Sequence, residues 1–128
     1  ATGRPRRVGP FDAVASRYGL KCQNADKIAL TKFDVLSGMD EIPVITAYTK
    51  DGNDITEFDP SEDLEAFSPV VEMLPGWNAD ISGCRKYDEL PENAKAYVER
   101  LEELIGCKIH LISVGAERNQ FIIKENWL

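Results

Sequence analysis

Ala29-Leu30-Thr31-Lys32-Phe33-Asp34 is a short apolar run ending in a threonine, a lysine and an aspartate. It reads as the end of a buried strand spanning Lys27 to Asp34. A second apolar run, Lys108 to Val114, stops at Ser113-Val114-Gly115. Strands of this kind interleaved with helical patterns indicate an α/β fold, with a mixed sheet and flanking helices. In open α/β sheets ligands gather beyond the carboxyl ends of the strands, so the residues closing these two runs are the first candidates for a site. Lys-x-Asp in that place suits a purine. The lysine stem can lie along the flat face of the base, and the aspartate can accept two parallel N–H bonds from a guanine edge. The ordinary alternative is an ion pair between Lys32 and Asp34 at a strand end. For Ser113-Val114-Gly115 it is a plain strand-to-loop turn in which Gly115 takes a positive φ.

Outward from these runs, Gly3, Pro5, Gly9 and Pro10 make residues 1–10 a loop. Asp12 suits a helix N-cap, and Ala13, Val14, Tyr18 and Leu20 give a helical face across 12–21. Ile42 to Lys50 reads as a strand that turns at Asp51-Gly52 into a returning strand from Asp54 to Phe58. Pro60 to Phe67 is acidic, with room for one helical turn. Pro69 to Leu74 is a further strand ended by Pro75-Gly76-Trp77, and 78–90 is irregular. Pro91, placed at the first helical position, opens the clearest helix. Ala94, Tyr97, Val98, Leu101, Leu104 and Ile105 share one face, and Gly106 ends it. A short last strand runs from Gln120 to Ile123.

At 128 residues with 43% hydrophobic content, the chain holds enough apolar material for one core. Its net charge of −7 is unevenly spread. Residues 1–32 hold seven Lys/Arg against two Asp/Glu, whereas 33–128 hold eight against twenty. A basic head on an acidic body argues against a general nucleic-acid binder and is compatible with a local phosphate or carboxylate site. No apolar stretch reaches membrane length, and no secretory leader pattern is present. Cys22, Cys84 and Cys107 have no paired spacing and read as buried free thiols of a reducing cytoplasm. His110, between Ile109 and Leu111, reads as structural. Trp77 and Trp127 read as packing residues. No metal box, catalytic triad, Walker A loop or dinucleotide fingerprint can be singled out.

Arg4, Arg6 and Arg7 lie in the Gly/Pro loop. With Pro5 stiffening the backbone, Arg4 and Arg6 offer two guanidinium forks for phosphate, carboxylate or ribose oxygens. Thr2 and Gly3 add a hydroxyl and an exposed N–H. A solubilising basic terminus is the competing explanation. Two function classes follow from the residues: part of a nucleotide-using enzyme, or a stand-alone guanine-nucleotide or anion-binding module without catalysis.

The combination Thr2-Gly3-Arg4-Pro5-Arg6-Arg7, Phe11-Asp12-Ala13-Val14-Ala15 and Ala29 to Leu36 resembles the adenylosuccinate synthetase family. So do Leu74-Pro75-Gly76-Trp77, Tyr87-Asp88-Glu89-Leu90-Pro91 and Ser113-Val114-Gly115, in the family's order and over essentially all 128 residues. The resemblance implies the C-terminal part of a larger P-loop-NTPase-like α/β enzyme, with an aspartate/IMP loop at 1–10 and a guanine-binding region at 28–128. It implies a cytoplasmic, homodimeric ligase of purine biosynthesis that joins IMP and L-aspartate with GTP as co-substrate and Mg²⁺ as cofactor. Thr2, Gly3, Arg4 and Arg6 would hold aspartate, with Arg4 also reaching IMP and Arg6 also reaching GTP. Lys32, Phe33, Asp34, Ser113, Val114 and Gly115 would form the guanine site. The family's catalytic residues, phosphate loop and magnesium ligands would lie upstream, so residues 1–128 alone are expected to show no turnover. Ala1 stands where the family commonly has a second threonine, and Val8-Gly9-Pro10-Phe11 replaces a commoner Cys-Gly-Trp run.

Overall fold

The computed structural model describes residues 3–124. Seven strands and two helices follow the order β1 (Phe11–Asp12), α1 (Ala13–Gln23), β2 (Lys27–Leu30), β3 (Glu41–Lys50), β4 (Asn53–Ile55), β5 (Ser68–Pro75), α2 (Glu92–Ile105), β6 (Lys108–Ser113) and β7 (Phe121–Ile123). They form an α/β architecture with two sheets where the sequence suggested one. In the four-stranded sheet, β3 is central. It pairs antiparallel with β5 on one edge, and with β1 (parallel) and β4 (antiparallel) along the other. The three-stranded sheet has the order β2-β6-β7, with β2 parallel and β7 antiparallel to β6.

Local signals explain both helices. Asp12 caps α1, accepting the Ala15 N–H at 2.9 Å. The helix runs through Gly19 and stops at Asn24, which adopts the left-handed conformation at φ 50° and caps the carbonyls of Leu20 and Lys21. Pro91 is the N-cap of α2 rather than its first residue, and Gly106 closes it at φ 66°. The apolar face read from the sequence is buried, with Leu104 only partly so. This helix bridges the sheets, packing on β5 of one and β6 of the other. Arg100 fastens it to Glu72 of β5 at 3.0 Å. Arg17 of α1 donates to the Leu104 carbonyl at 2.5 Å.

One departure from the sequence reading concerns the turn after β2. The strand expected through Asp34 stops at Leu30, and Phe33–Leu36 form a 3-10 turn. Gly76 is required by a close approach. A Cβ there would lie 1.7 Å from the Met39 carbonyl oxygen, while the Gly76 N–H donates to Asp40 O at 2.8 Å. That contact brings Trp77 over the 37–41 turn, where its indole N–H donates to Ser37 Oγ at 3.1 Å. A second departure concerns the thiols. All three cysteines are free, but Cys22 is exposed and the other two are half-buried, Cys84 packing against the edge of the core.

His110 is buried with its Nδ1 near the Lys108 carbonyl, in keeping with a structural role. Beside it, the buried Glu102 of α2 accepts from Lys124 Nζ at 2.7 Å and from the Ile109 N–H at 2.8 Å, with Lys108 Nζ at 3.5 Å. Burial pushes the Glu102 carboxyl up, but these bonds and charges outweigh it and hold the group below its ordinary value. A depressed carboxyl stabilises the fold above its unfolded pKa and loses that contribution as pH falls through the folded value. Glu102→Gln is therefore expected to cost about 1–3 kcal/mol in urea unfolding at neutral pH. The gap between parent and variant is expected to close as pH falls through the folded-state value. A gap independent of pH would contradict the ion-pair assignment.

Candidate functional site

The parallel register sets Leu30 against Ile112, so the chain leaves both strands at neighbouring points of one carboxyl edge. From that edge Lys32-Phe33-Asp34 emerges beside Ser113-Val114-Gly115. The pairing shifts by one residue between Ile28 and Ala29, with His110 the extra residue on β6. Bulges of this kind re-aim the residues that follow and are common near sites.

Within each triplet the middle residue is an anchor. Phe33 is 1% exposed, 4.6 Å from the Trp77 ring and 5.9 Å from Tyr97, and Val114 is fully buried. Their side chains therefore cannot contact a ligand, and only their backbone is available to one. The flanking residues face outward. Lys32 is exposed, while Asp34, Ser113 and Gly115 are half-buried. The strand-end ion pair does not form: neither Lys32 nor Asp34 has an ion-pair partner among the described residues.

Lys32 also adopts the left-handed conformation, at φ 59° and ψ 34°. That costs an L-residue roughly 1–2 kcal/mol, and such strain concentrates at functional sites. It is the feature that turns the chain from strand to 3-10 turn. Gly115, by contrast, does not take a positive φ; the absence of a side chain there serves close packing instead. Ser113 Oγ donates to the Gly115 carbonyl at 3.1 Å, and the Val114 N–H donates to the Gln120 carbonyl at 2.9 Å. The sequence reading did not single out Gln120, since a lone glutamine between loop and strand carries no spacing signal.

Residues 3–10 lead into β1 of the other sheet, and no hydrogen bond or ion pair joins them to the edge just described. Arg4, Arg6 and Arg7 are exposed and unpartnered among the described residues, with Gly3 at φ 65°. Thr2 and Trp127 lie outside those residues. A cleft of about 350 Å³ between α1 and β3 is lined by Asp12, Tyr48, Phe58 and Phe67, and by none of the sequence candidates. In it, burial and the hydrogen bond to Asp12 push the Tyr48 hydroxyl up to about 12, so it remains a donor. Among the described residues no three acidic, His or Cys side chains are placed to hold a metal ion, and no helix is long and apolar enough to cross a membrane.

A family model described as adenylosuccinate synthetase matches residues 1–122. The chain is 55% identical over 126 residues to the adenylosuccinate synthetase of Pelobacter propionicus, covering 98% of this chain and 29% of that protein. It is 44% identical over 128 residues to that of Staphylococcus saprophyticus, covering 98% and 30%. The solved structure of fully ligated adenylosuccinate synthetase from Plasmodium falciparum superposes with a TM-score of 0.90 at 40% identity, covering 97% of this chain and 30% of that one. The chain thus spans about 30% of the length of these relatives.

The geometry at Lys32 separates a site residue from a packing one. Lys32→Gly removes the left-handed penalty at a cost in unfolded-chain entropy, so stability is expected to stay within about 1 kcal/mol of the parent. Chemical denaturation checks this. A loss well beyond that range would mean that the lysine side chain holds the turn.

Proposed function

The chain belongs to the adenylosuccinate synthetase family, and from that premise we propose that it forms the guanine-binding and aspartate-binding part of a GTP-dependent ligase. The reaction joins IMP and L-aspartate into adenylosuccinate, on the way to AMP. GTP phosphorylates the 6-oxygen of IMP, and the aspartate amine then displaces that phosphate. The observation that carries this reading is the parallel β2–β6 register, which sets Lys32–Asp34 beside Ser113–Gly115.

Each residue has a defined task. Asp34 accepts the N1–H and exocyclic amine of guanine, and the Lys32 stem covers the ring face. The backbone at Ser113–Gly115 forms the opposite wall. Arg4 and Arg6 provide bidentate bonds to the aspartate carboxylates, with Arg4 also reaching IMP and Arg6 GTP; Thr2 and Gly3 complete that loop. The exposure of Arg4 and Arg6, and their lack of partners among the described residues, support this use. Mg²⁺, which would neutralise the transferring phosphate, is assigned to ligands outside residues 1–128, as are the catalytic groups. The full-length protein is taken to be a cytoplasmic homodimer.

Two substitutions in the full-length protein test the assignments. Arg4→Leu removes a charge-assisted bidentate bond contributing about 1.5–3 kcal/mol, so the KM for aspartate is expected to rise roughly ten- to hundredfold. A value within about twofold of the parent would return the loop to a solubilising role.

Asp34→Asn keeps one acceptor but turns the other into a donor facing the guanine amine. Xanthine carries a carbonyl there. The GTP-to-XTP preference in kcat/KM is therefore expected to shift towards XTP by at least about tenfold, since an unpaired buried donor costs roughly 1–3 kcal/mol. An unchanged ratio in a folded variant would remove Asp34 from the site.

A further inference from the structure

The loop that follows β6 leaves Ala116, Glu117, Arg118 and Asn119 exposed, and among the described residues none of their side chains makes a hydrogen bond or ion pair. A wall built from backbone holds its place only if something else fixes the loop. One residue does so from four directions. The Gln120 carbonyl accepts the Val114 N–H at 2.9 Å, and the Gln120 N–H donates to the Glu117 carbonyl at 2.9 Å. Its side-chain Oε1 accepts the Glu117 N–H at 2.9 Å, while Nε2 makes a longer contact of 3.4 Å to the Ser82 carbonyl.

The same carboxamide lies against Gly115. A Cβ on Gly115 would sit 2.1 Å from Gln120 Oε1 and 2.4 Å from its Cδ, so the glycine is required by this packing. Ser82 is itself anchored. Ile81 beside it is fully buried, the Ser82 N–H donates to Asp80 Oδ1 at 2.9 Å, and Arg85 also donates to the Ser82 carbonyl at 2.8 Å. The Gln120 side chain therefore transmits the fixed position of the core-anchored 81–82 segment to the backbone of Gly115.

We propose that Gln120 is a positioning residue for the guanine wall, setting Gly115 at the distance the base requires without touching the nucleotide. The proposal rests on the guanine reading given above. Gln120→Ala deletes both side-chain bonds and leaves both backbone bonds, so the loop loosens without unfolding. In the full-length protein the KM for GTP is expected to rise about tenfold, as loss of two modest hydrogen bonds implies. The kcat at saturating GTP and the KM values for IMP and aspartate are expected to stay within about twofold, because a pre-organisation defect at one ligand leaves the others alone. A GTP KM within twofold overturns the proposal. So does a parallel decline in all kinetic constants, which marks general destabilisation.

If Gln120→Ala does not fold, Gln120→Glu serves in its place. It keeps the acceptor for Glu117 and loses the donor to Ser82, so a smaller rise of about threefold in GTP KM alone is expected, and none overturns the proposal. Asp34→Asn, run in parallel, separates the two levels. If it leaves the GTP-to-XTP ratio unchanged, the guanine reading fails and takes this proposal with it. If it shifts the ratio while Gln120→Ala leaves GTP KM unchanged, the positioning role alone fails.

Discussion

Burial of Phe33 against Trp77 and Tyr97 is the constraint on which the candidate site depends. The three rings lie within 6 Å of one another by centroid, at tilted and edge-on angles that suit their quadrupoles. The cluster is dry enough to push the Tyr97 hydroxyl up to about 12 by burial. Because Phe33 is fixed from below, the residues on either side of it have little freedom. Lys32 is driven into a left-handed backbone to let the phenyl ring descend, and Asp34 is left facing the open edge. The same descent ends β2 early. A lysine in that conformation would be poor design for a mere connector, and its strain is offset by the aromatic packing it permits.

That cluster is in turn held by elements distant in sequence. Gly76 lies so close to the Met39 carbonyl that no side chain fits, and this contact seats Trp77. Tyr97 comes from α2, which is fastened to both sheets. Its Arg100 pairs with Glu72 of β5, and its Glu102 accepts from the Ile109 backbone of β6 and from Lys124 beyond β7. One helix therefore fixes the floor beneath Phe33 and also the strand that delivers Ser113–Gly115. The segments that follow β2 and β6 therefore share a foundation.

What could be read in advance divides along the same line between local and distant causes. The face and stop of α2, the Asp12 cap and the Asp51-Gly52 turn each have their signal within a few residues, and each appears where it was expected. The parallel β2–β6 register joins residues about eighty positions apart, and nothing in either segment announces it. Lys32 carried no hint of its left-handed conformation, because lysine has no preference for it. The ordinary alternative for Gly115, a turn glycine at positive φ, rests on residue type alone and does not occur; what requires the glycine is Gln120 lying over it. Strand β1 is two residues long, too short for periodicity to register, yet it decides that the arginine loop hangs from the other sheet. The family resemblance reached further than periodicity, since it implied a joint role for Lys32–Asp34 and Ser113–Gly115, two segments that the β2–β6 register sets side by side.

The claim that most needs testing is that the shared edge of β2 and β6 receives guanine. A crystal structure of the full-length protein with GTP bound addresses it directly. The base is expected between Lys32–Asp34 and Ser113–Gly115, with both Asp34 carboxylate oxygens at roughly 2.7–3.0 Å from guanine N1 and N2. Phe33 and Val114 are expected to stay buried beneath it. Guanine bound elsewhere, with Asp34 turned to protein or solvent, would contradict the assignment.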